Sequence, residues 1–516
     1  MSNYTPIIGL EIHVELKTKS KMFCSCANNP DRDAPNSHIC EICLAHPGTL
    51  PVPNKTAIAW TVKIAKALGC QINELSKFDR KHYFYPDLPK GYQISQYDQP
   101  ISEHGFVDLK FLTGKNFRSD CRIKITRVHL EEDTAKLSHD TNGNTLVDFN
   151  RAGVPLVEIV SDPDIQSAAE AKTYCQELQM ILRYLKVSDA DMEKGHMRCE
   201  ANISLQETGK FEIIDGLIKP LSGYVLNPKI ELKNINSFRA IEKAIDYETK
   251  RQGELLNKKQ TWGPETRGWD DDLGETILQR AKESSADYRY FPEPDIPPFH
   301  PLKIAGKISL PELPFAKRER FHTEFGFSYA DAFLLTSDQA WSEYTERVMS
   351  ELMDWLHSLP ETEEMTEELT LNKKQELAKL AGGWLTSKLM GVMAERKIDI
   401  RVLKLKPENF SELVALIYAG RVNSTNAQKI LAEMLDSGVD MDPTHIMEDK
   451  GYGQIADEGK LGAIIDEVIK SNPKQAEQFR AGKEPILQFL KGMVMKATEG
   501  SADPNVAEKL LRKKLK

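Results

Sequence analysis

The chain has 516 residues, 40% of them apolar and 28% charged, and a net charge of −9. This is the composition of a globular protein of about three or four domains. It excludes a disordered or fibrous chain, and no apolar run approaches the roughly 18 residues that cross a bilayer. The acidic balance also excludes a surface coated throughout in nucleic acid, although the terminal KLLRKKLK is a basic patch at a solvated helix end. No basic-then-apolar leader opens the chain, so a cytoplasmic protein without membrane association is expected.

A strand is predicted over 7–16. In GLEIHVEL, Ile12, Val14 and Leu16 take one face, while Glu11, His13 and Glu15 take the other. Acids and an imidazole on one strand face are costly to bury without partners. Next come Cys24, Cys26, Cys40 and Cys43, spaced as C-x-C, thirteen residues, then C-x2-C. Two close thiol pairs across a loop supply the tetrahedral soft ligands of a closed, structural zinc site, with His38 and His46 as alternative donors for one position. Cys70, Cys121, Cys175 and Cys199 are scattered and read as small buried apolar residues.

Asn54 is the expected cap of a helix carrying Ile58, Ile64 and Leu68 and ending at Gly69. The stretch 79–100 interleaves Tyr83, Phe84, Tyr85, Tyr92 and Tyr97 with Arg80, Lys81 and Lys90, and DYRYFPEPD at 287–295 repeats the theme. Such segments stack bases or form well-packed loops. Strands are predicted over 106–112 and 122–131. In the second, apolar parity switches from Ile123 and Ile125 to Val128 and Leu130. A bulge near Thr126 explains the switch and puts Arg127, His129 and Glu131 on one face. A strand over 154–160 carries Glu158 inside an apolar run, and Asp164 is the expected cap of the helix that follows. Further strands are expected over 198–205, where Arg198, Glu200, Asn202 and Ser204 share a face, and over 229–235.

Strands bunched between few helices define an α+β domain over 1–295 with a mixed or antiparallel sheet. A proline-rich connector follows (PEPDIPPFHP, then LPELP), leading a helical domain over 296–409. Residues 410–516 read as a helical tail, with Ser424, Asn472-Pro473 and Asp503-Pro504 opening successive helices. Four strands therefore offer carboxylates on polar faces, the hard ligands that Mg²⁺ and its phosphates prefer. No G-x4-G-K-[ST] loop and no G-x-S-x-G elbow is present.

Together, GLEIHVEL, KMFCSC, HICEICLAHPGTLPVPN, HYFYPDLPKGYQISQYDQPI, HLEEDTAKL, DFNRAGVPLVEIVSDPD, GHMRCEANISL and DYRYFPEPDIPP resemble the GatB/GatE family, the B subunits of the aspartyl/glutamyl-tRNA(Asn/Gln) amidotransferases. The resemblance runs on through the tail, in NPKQAEQFRAGKEPILQFL. It implies a cradle-like catalytic domain, a helical domain and a tail that contacts tRNA. It also implies a heterotrimer with an amidase-type subunit, which supplies ammonia from glutamine, and a small third subunit. In such a ligase of carbon–nitrogen bonds (EC 6.3.5.-), ATP phosphorylates the side-chain carboxylate of Glu-tRNA(Gln) or Asp-tRNA(Asn), and ammonia displaces the phosphate. Glu11 and His13 match the family's metal positions. Glu131, Glu158 and Glu200 are further Mg²⁺ candidates, Glu200 standing where many members have Asp. Lys90 and Arg198 are assigned to phosphate, and Glu11, His13, Glu131 and Arg198 to catalysis. Cys24, Cys26, Cys40 and Cys43 match the family's zinc knuckle, within 24–43. SSADYRYF departs from a commoner EAHDYRYF-like run, and LAHPG from LGxPG. A tRNA-binding scaffold with an inactive face has no need of those carboxylates. An autonomous glutamine-dependent enzyme would need a Ser-Ser-Lys signature or a leading nucleophilic cysteine, and neither is present.

Overall fold

The computed structural model describes residues 3–113, 116–214, 216–281, 287–358, 367–453, 458–498 and 500–515. The chain divides into two compact units, Met1–Phe315 and Ala316–Lys516. The first two serines and Ala286 of SSADYRYF lie outside the described residues.

The first unit is built on a nine-stranded sheet. Its strands are β1 (Tyr4–Glu15), β2 (Gln71–Ile72), β3 (Ser102–Thr113), β4 (Asn116–Glu132), β5 (Pro155–Ser161), β6 (Met197–Glu207), β7 (Ile230–Ile235), β8 (Glu265–Asp270) and β9 (Glu275–Ala281). Their spatial order is β9-β8-β7-β6-β1-β5-β4-β3-β2. Only the β7–β8 pairing is parallel among the described strands, so the sheet is mixed. The first strand of the chain therefore lies in the middle, hydrogen-bonded to β6 and β5.

Strand parity decides the layers. Ile8, Leu10, Ile12 and Val14 of β1 are fully buried. They join Ile159, Ile203 and Leu232 in one core with helices α1 (Lys55–Ala67), α2 (Ala168–Tyr184) and α3 (Phe238–Asn257). Burying each such side chain contributes about 1.5–3 kcal/mol. The opposite parity, with Glu11, His13 and Glu15, faces away from that core. The expected bulge exists: the register between β4 and β5 shifts between Ile125 and Arg127. Without it, His129 and Glu131 would point into the helical layer, because a one-residue slip flips every side chain.

Outside this sheet, Asp79–His82, Tyr92–Ser95 and Phe291–Pro292 form a three-stranded sheet that unites the two aromatic segments. Tyr97 stacks on Tyr290, with centroids 4.4 Å apart, and His82 on Phe291 at 4.8 Å. Well-packed loops are thus the outcome for much of this aromatic content, although Phe84 stays exposed.

The described residues of the second unit form helices joined by turns and loops, with no named strand among them. One apolar core runs from Phe321 to Ile446 and includes Phe410, Leu413 and Val414 of the helix Pro407–Tyr418. Another runs from Leu461 to Leu515. Asn426 Nδ2 donates to Ser501 Oγ between them, beside a contact from Asn423 to the Gly500 carbonyl. In the terminal basic run, Arg512 pairs with Glu484 and Glu508, and Lys514 with Asp466, while Lys483, Lys496 and Lys513 remain exposed.

Two caps differ from expectation. Helix 424–436 is capped by Asn423, whose Oδ1 accepts from the Thr425 and Asn426 amides. Helix α2 is capped by Ser167, which accepts from the Glu170 amide, rather than by Asp164. Ile165 still bridges to Ile8 beyond β5 and Ser167 itself is extended, while the Asp164 carboxylate sits instead near the Lys124 amide at 3.4 Å. Ser167→Ala should lower stability by about 1 kcal/mol, and Asp164→Ala by clearly less. Equal losses in urea unfolding would contradict this assignment of the cap.

Candidate active site and thiol knuckle

The site is a cross-strand row. His13 on β1 lies opposite Arg198 on β6 and Glu158 on β5, and Glu158 lies opposite His129 on β4. Neighbouring strands are about 4.8 Å apart, so four ionisable residues fall into one cross-strand row without any loop. Glu158 Oε2 lies 3.4 Å from His13 Nε2 and 3.2 Å from His129 Nε2. Glu131 lies one pleat further along β4, with Oε1 3.9 Å from His13 Nε2. Its other oxygen accepts from Ser95 Oγ at 2.9 Å. One ligand atom each from His13, Glu131 and Glu158 falls within 4.8 Å of the others, which suits a single cation.

Burial makes these charges interdependent. Desolvation alone would raise the carboxyls of Glu158 and Glu131, but His129 and His13 hold Glu158 below the ordinary range, and His129 with Lys81 holds Glu131 there. Desolvation alone would lower the His13 imidazole, but Glu158, and then Glu131, push it up to about 9. His129 is 2% exposed, and its Nδ1 has no hydrogen-bond partner.

Other expected site residues stand apart from this trio. Glu11 and Glu200 face each other across β1 and β6. Asn202 Nδ2 donates to Glu11 Oε1 at 2.9 Å, while Lys233 Nζ holds both oxygens of Glu200 at 2.9–3.0 Å. Burial, then Glu158 and Glu200, raise the Glu11 carboxyl. Arg198 pairs with Asp133 at 2.8 Å and Glu15 at 3.3 Å, and Lys90 pairs with Glu132 at 2.7 Å. Both cations are therefore engaged by carboxylates. Sequence reasoning gave no role to His129, Lys81, Ser95 or the Glu15–Asp133 pair. His129 carried a signal, its shared face with Glu131, but Lys81 and Ser95 come from a separate small sheet with no local mark of their proximity.

The second cluster lies near the end of β1. The Sγ atoms of Cys24, Cys26, Cys40 and Cys43 lie within 4.8 Å of one another. Cys40 and Cys43 are 3.9 Å apart at sulfur, close to the roughly 3.8 Å edge of a tetrahedron with 2.3 Å zinc–sulfur bonds. The Cys40 amide donates to Cys43 Sγ at 3.1 Å. Lys21, 0% exposed, directs Nζ to Cys43 Sγ at 3.8 Å and to the Phe149 carbonyl at 3.1 Å. The Cys43 thiol is pushed down to about 5, chiefly by hydrogen bonding from Cys24, with Lys21 contributing. Four sulfurs beside a buried cation fit a thiolate-bound metal. His38 and His46 are outside the cluster, and His38 pairs with Asp33.

A buried carboxylate–imidazole trio on one sheet face, a four-thiol knuckle and a helical second unit define a protein of α+β architecture with two groupings compact enough for a metal ion. Comparison with known proteins makes this specific. Residues 6–304 match the GatB/GatE catalytic domain, and residues 365–515 match the GatB domain. The chain is 43% identical over 524 residues to the aspartyl/glutamyl-tRNA(Asn/Gln) amidotransferase B subunit from Rippkaea orientalis, covering 100% of this chain and 98% of the relative. It is 42% identical over 524 residues to the protein of that name from Dehalococcoides mccartyi (strain ATCC BAA-2266 / KCTC 15142 / 195), covering 100% and 99%, and 40% identical over 516 residues to that from Persephonella marina, covering 99% and 100%. The chain belongs to the GatB/GatE family.

The His13–Glu158 pair has a pH signature in metal-free protein. Because the folded imidazole is raised, its stabilisation is complete below the unfolded value of 6.5 and is lost as pH rises through about 9. The stability difference between wild type and His13→Gln should therefore shrink between pH 6.5 and 9 in denaturant titrations. A difference constant across that window would show that the imidazole is neutral in the fold.

Proposed function

We propose that the chain is the synthetase-like subunit of a tRNA-dependent amidotransferase, working in the cytoplasm with an amidase-type partner and a small third subunit. The observation that carries this reading is the row across β1, β5 and β4, which gathers His13, Glu131 and Glu158 around a cation-sized space. Joining phosphate to a carboxylate brings two anions together, so the site must supply positive charge. In this reading His13, Glu131 and Glu158 hold Mg²⁺, with Glu11 and Glu200 on the next row approaching it or a second ion. Mg²⁺ held there would neutralise the phosphates of ATP and polarise the phosphoryl group. The protein's own residues orient and exclude. Ser95 and His129 fix the two carboxylates, and Asn202 fixes Glu11. Lys90 and Arg198 reach phosphate only by exchanging Glu132 and Asp133 for it, which makes them gated cations rather than free ones. Ammonia arrives from the amidase-type partner, and the product is Gln-tRNA(Gln) or Asn-tRNA(Asn). Zinc at Cys24, Cys26, Cys40 and Cys43 stabilises the fold, and the tail contacts tRNA.

Glu158→Gln and His13→Ala in the assembled enzyme should lower ATP-dependent transamidation by at least about 100-fold and leave glutamine hydrolysis by the partner intact. Near-normal transamidation by both would remove the row from catalysis.

Purified protein should hold about one zinc per chain. Lys21→Met should weaken zinc retention against a chelator about 10-fold or more, because the thiolates lose their buried counter-charge. Unchanged retention would leave Lys21 a packing residue.

The tail test follows from the cores. The helix Pro407–Tyr418 belongs to the first helical core, so truncation at 410 would open it, whereas truncation after Gly453 removes only the last core. The shorter truncation should preserve assembly, weaken binding of mischarged tRNA and flatten its salt dependence. Identical binding across a salt series would exclude the tail as a tRNA contact.

A further inference from the structure

The two apolar cores of the second unit share no residue. Extended helix-to-helix packing stays within one core or the other. What fixes the tail, Leu461–Leu515, against the first helical core therefore has to be sought in polar contacts. Two side-chain hydrogen bonds cross the gap, and both leave from the start of one helix, Ser424–Asp436.

Asn423 uses both halves of its amide. Its Oδ1 accepts from the Thr425 and Asn426 amides at 3.0 and 2.9 Å, which caps the helix, and its Nδ2 donates to the Gly500 carbonyl. Asn426, one turn inside the helix, is 1% exposed. Its Nδ2 donates to the Tyr452 carbonyl at 3.0 Å and to Ser501 Oγ at 3.2 Å, so it ties the end of the first core to the tail. Its Oδ1 is buried without a hydrogen-bond partner, which offsets part of that gain. The tail meets these donors with a preset turn. Gly500, at φ +84°, donates its amide to the Met495 carbonyl at 2.7 Å, and the Ala502 amide donates to Thr498 Oγ1 at 3.2 Å. This turn closes the helix Ile486–Ala497, whose exposed Lys496 lies in its last turn.

We propose that Asn423 and Asn426 are positioning residues that latch the tail onto the first helical core and so set where the tail meets the tRNA. The proposal rests on the reading of the tail as a tRNA contact and deepens it. The residue type at 423 supports the latch. Serine, threonine or aspartate would cap the helix equally well, but asparagine also offers an N–H₂ that an aspartate lacks and that can reach across to a carbonyl. A neutral hydrogen bond of this kind shifts an equilibrium by roughly 2–10-fold. A tail held by two of them is docked by a narrow margin, so one side chain can set its orientation.

The test uses the assembled enzyme with Asn423→Asp and Ser501→Ala. The first keeps the capping oxygen and removes the donor. The second removes the acceptor from the tail and leaves the first core untouched. Docking is read from the rate of tryptic nicking between the cores, at the exposed Lys450 and Lys460, because nicking follows the population of the open form. Asn423→Asp should speed nicking roughly 10-fold and Ser501→Ala roughly 2–5-fold. In both, KM for Glu-tRNA(Gln) should rise several-fold, while kcat and glutamine hydrolysis stay unchanged. Asn423→Ala, which loses the cap as well, should lower the melting temperature of the helical unit, and Asn423→Asp should not. If Asn423→Asp also melts early, the core is disturbed and Ser501→Ala decides alone. Nicking and KM both unchanged in the deciding variant overturns the latch. Faster nicking with KM unchanged upholds the latch and overturns the tRNA reading of the tail, which the truncation after Gly453 tests separately.

Discussion

The structure depends on the two-sidedness of β1. Its even residues must be buried for the sheet to hold its helices, and that obligation forces Glu11, His13 and Glu15 together on the other side. Placed at an edge, such a strand would leave its charges in water. Between β5 and β6 they meet a second and third row of charges, and each is partly desolvated. Electrostatic pairing on one face is thus the direct consequence of apolar burial on the other.

The pairing is matched in detail but with little slack. Glu158 has two imidazoles, Glu131 a hydroxyl and a nearby lysine, Glu200 a lysine, and Asp133 an arginine. Removing one cation exposes an anion in a desolvated place, so the face responds as a unit. A divalent ion bound by the trio would add positive charge beside imidazoles that the same carboxylates already favour in the protonated form, and the histidines would be the groups able to release protons in exchange.

Much of this was legible in the sequence because strand parity is a strict code. The alternation in 7–16, the switch at Thr126 and the lone acid in PLVEIV predicted the strands, the bulge and the acids' shared polar face. Ion-pair choice was not legible. Whether Arg198 meets phosphate or Asp133, and whether Glu200 meets a metal or Lys233, depends on side chains brought together by the fold. Helix caps failed by one to three residues where two competent residues stood near the start: Asn423 before Ser424, and Ser167 after Asp164. Local propensity ranks such pairs equally, and the path of the entering chain decides between them.

The central position of β1 also has a temporal side. Its ladder partners are residues 155–161 and 197–207, so β1 is synthesised well before either strand it pairs with. Until they appear, a long alternating strand remains unpaired on both edges. Loop closure of this span makes for slow, late assembly. The nascent chain carries this unpaired edge meanwhile, and the charges of Glu11, His13 and Glu15 then serve as solubilising gatekeepers before they are drawn into the folded sheet.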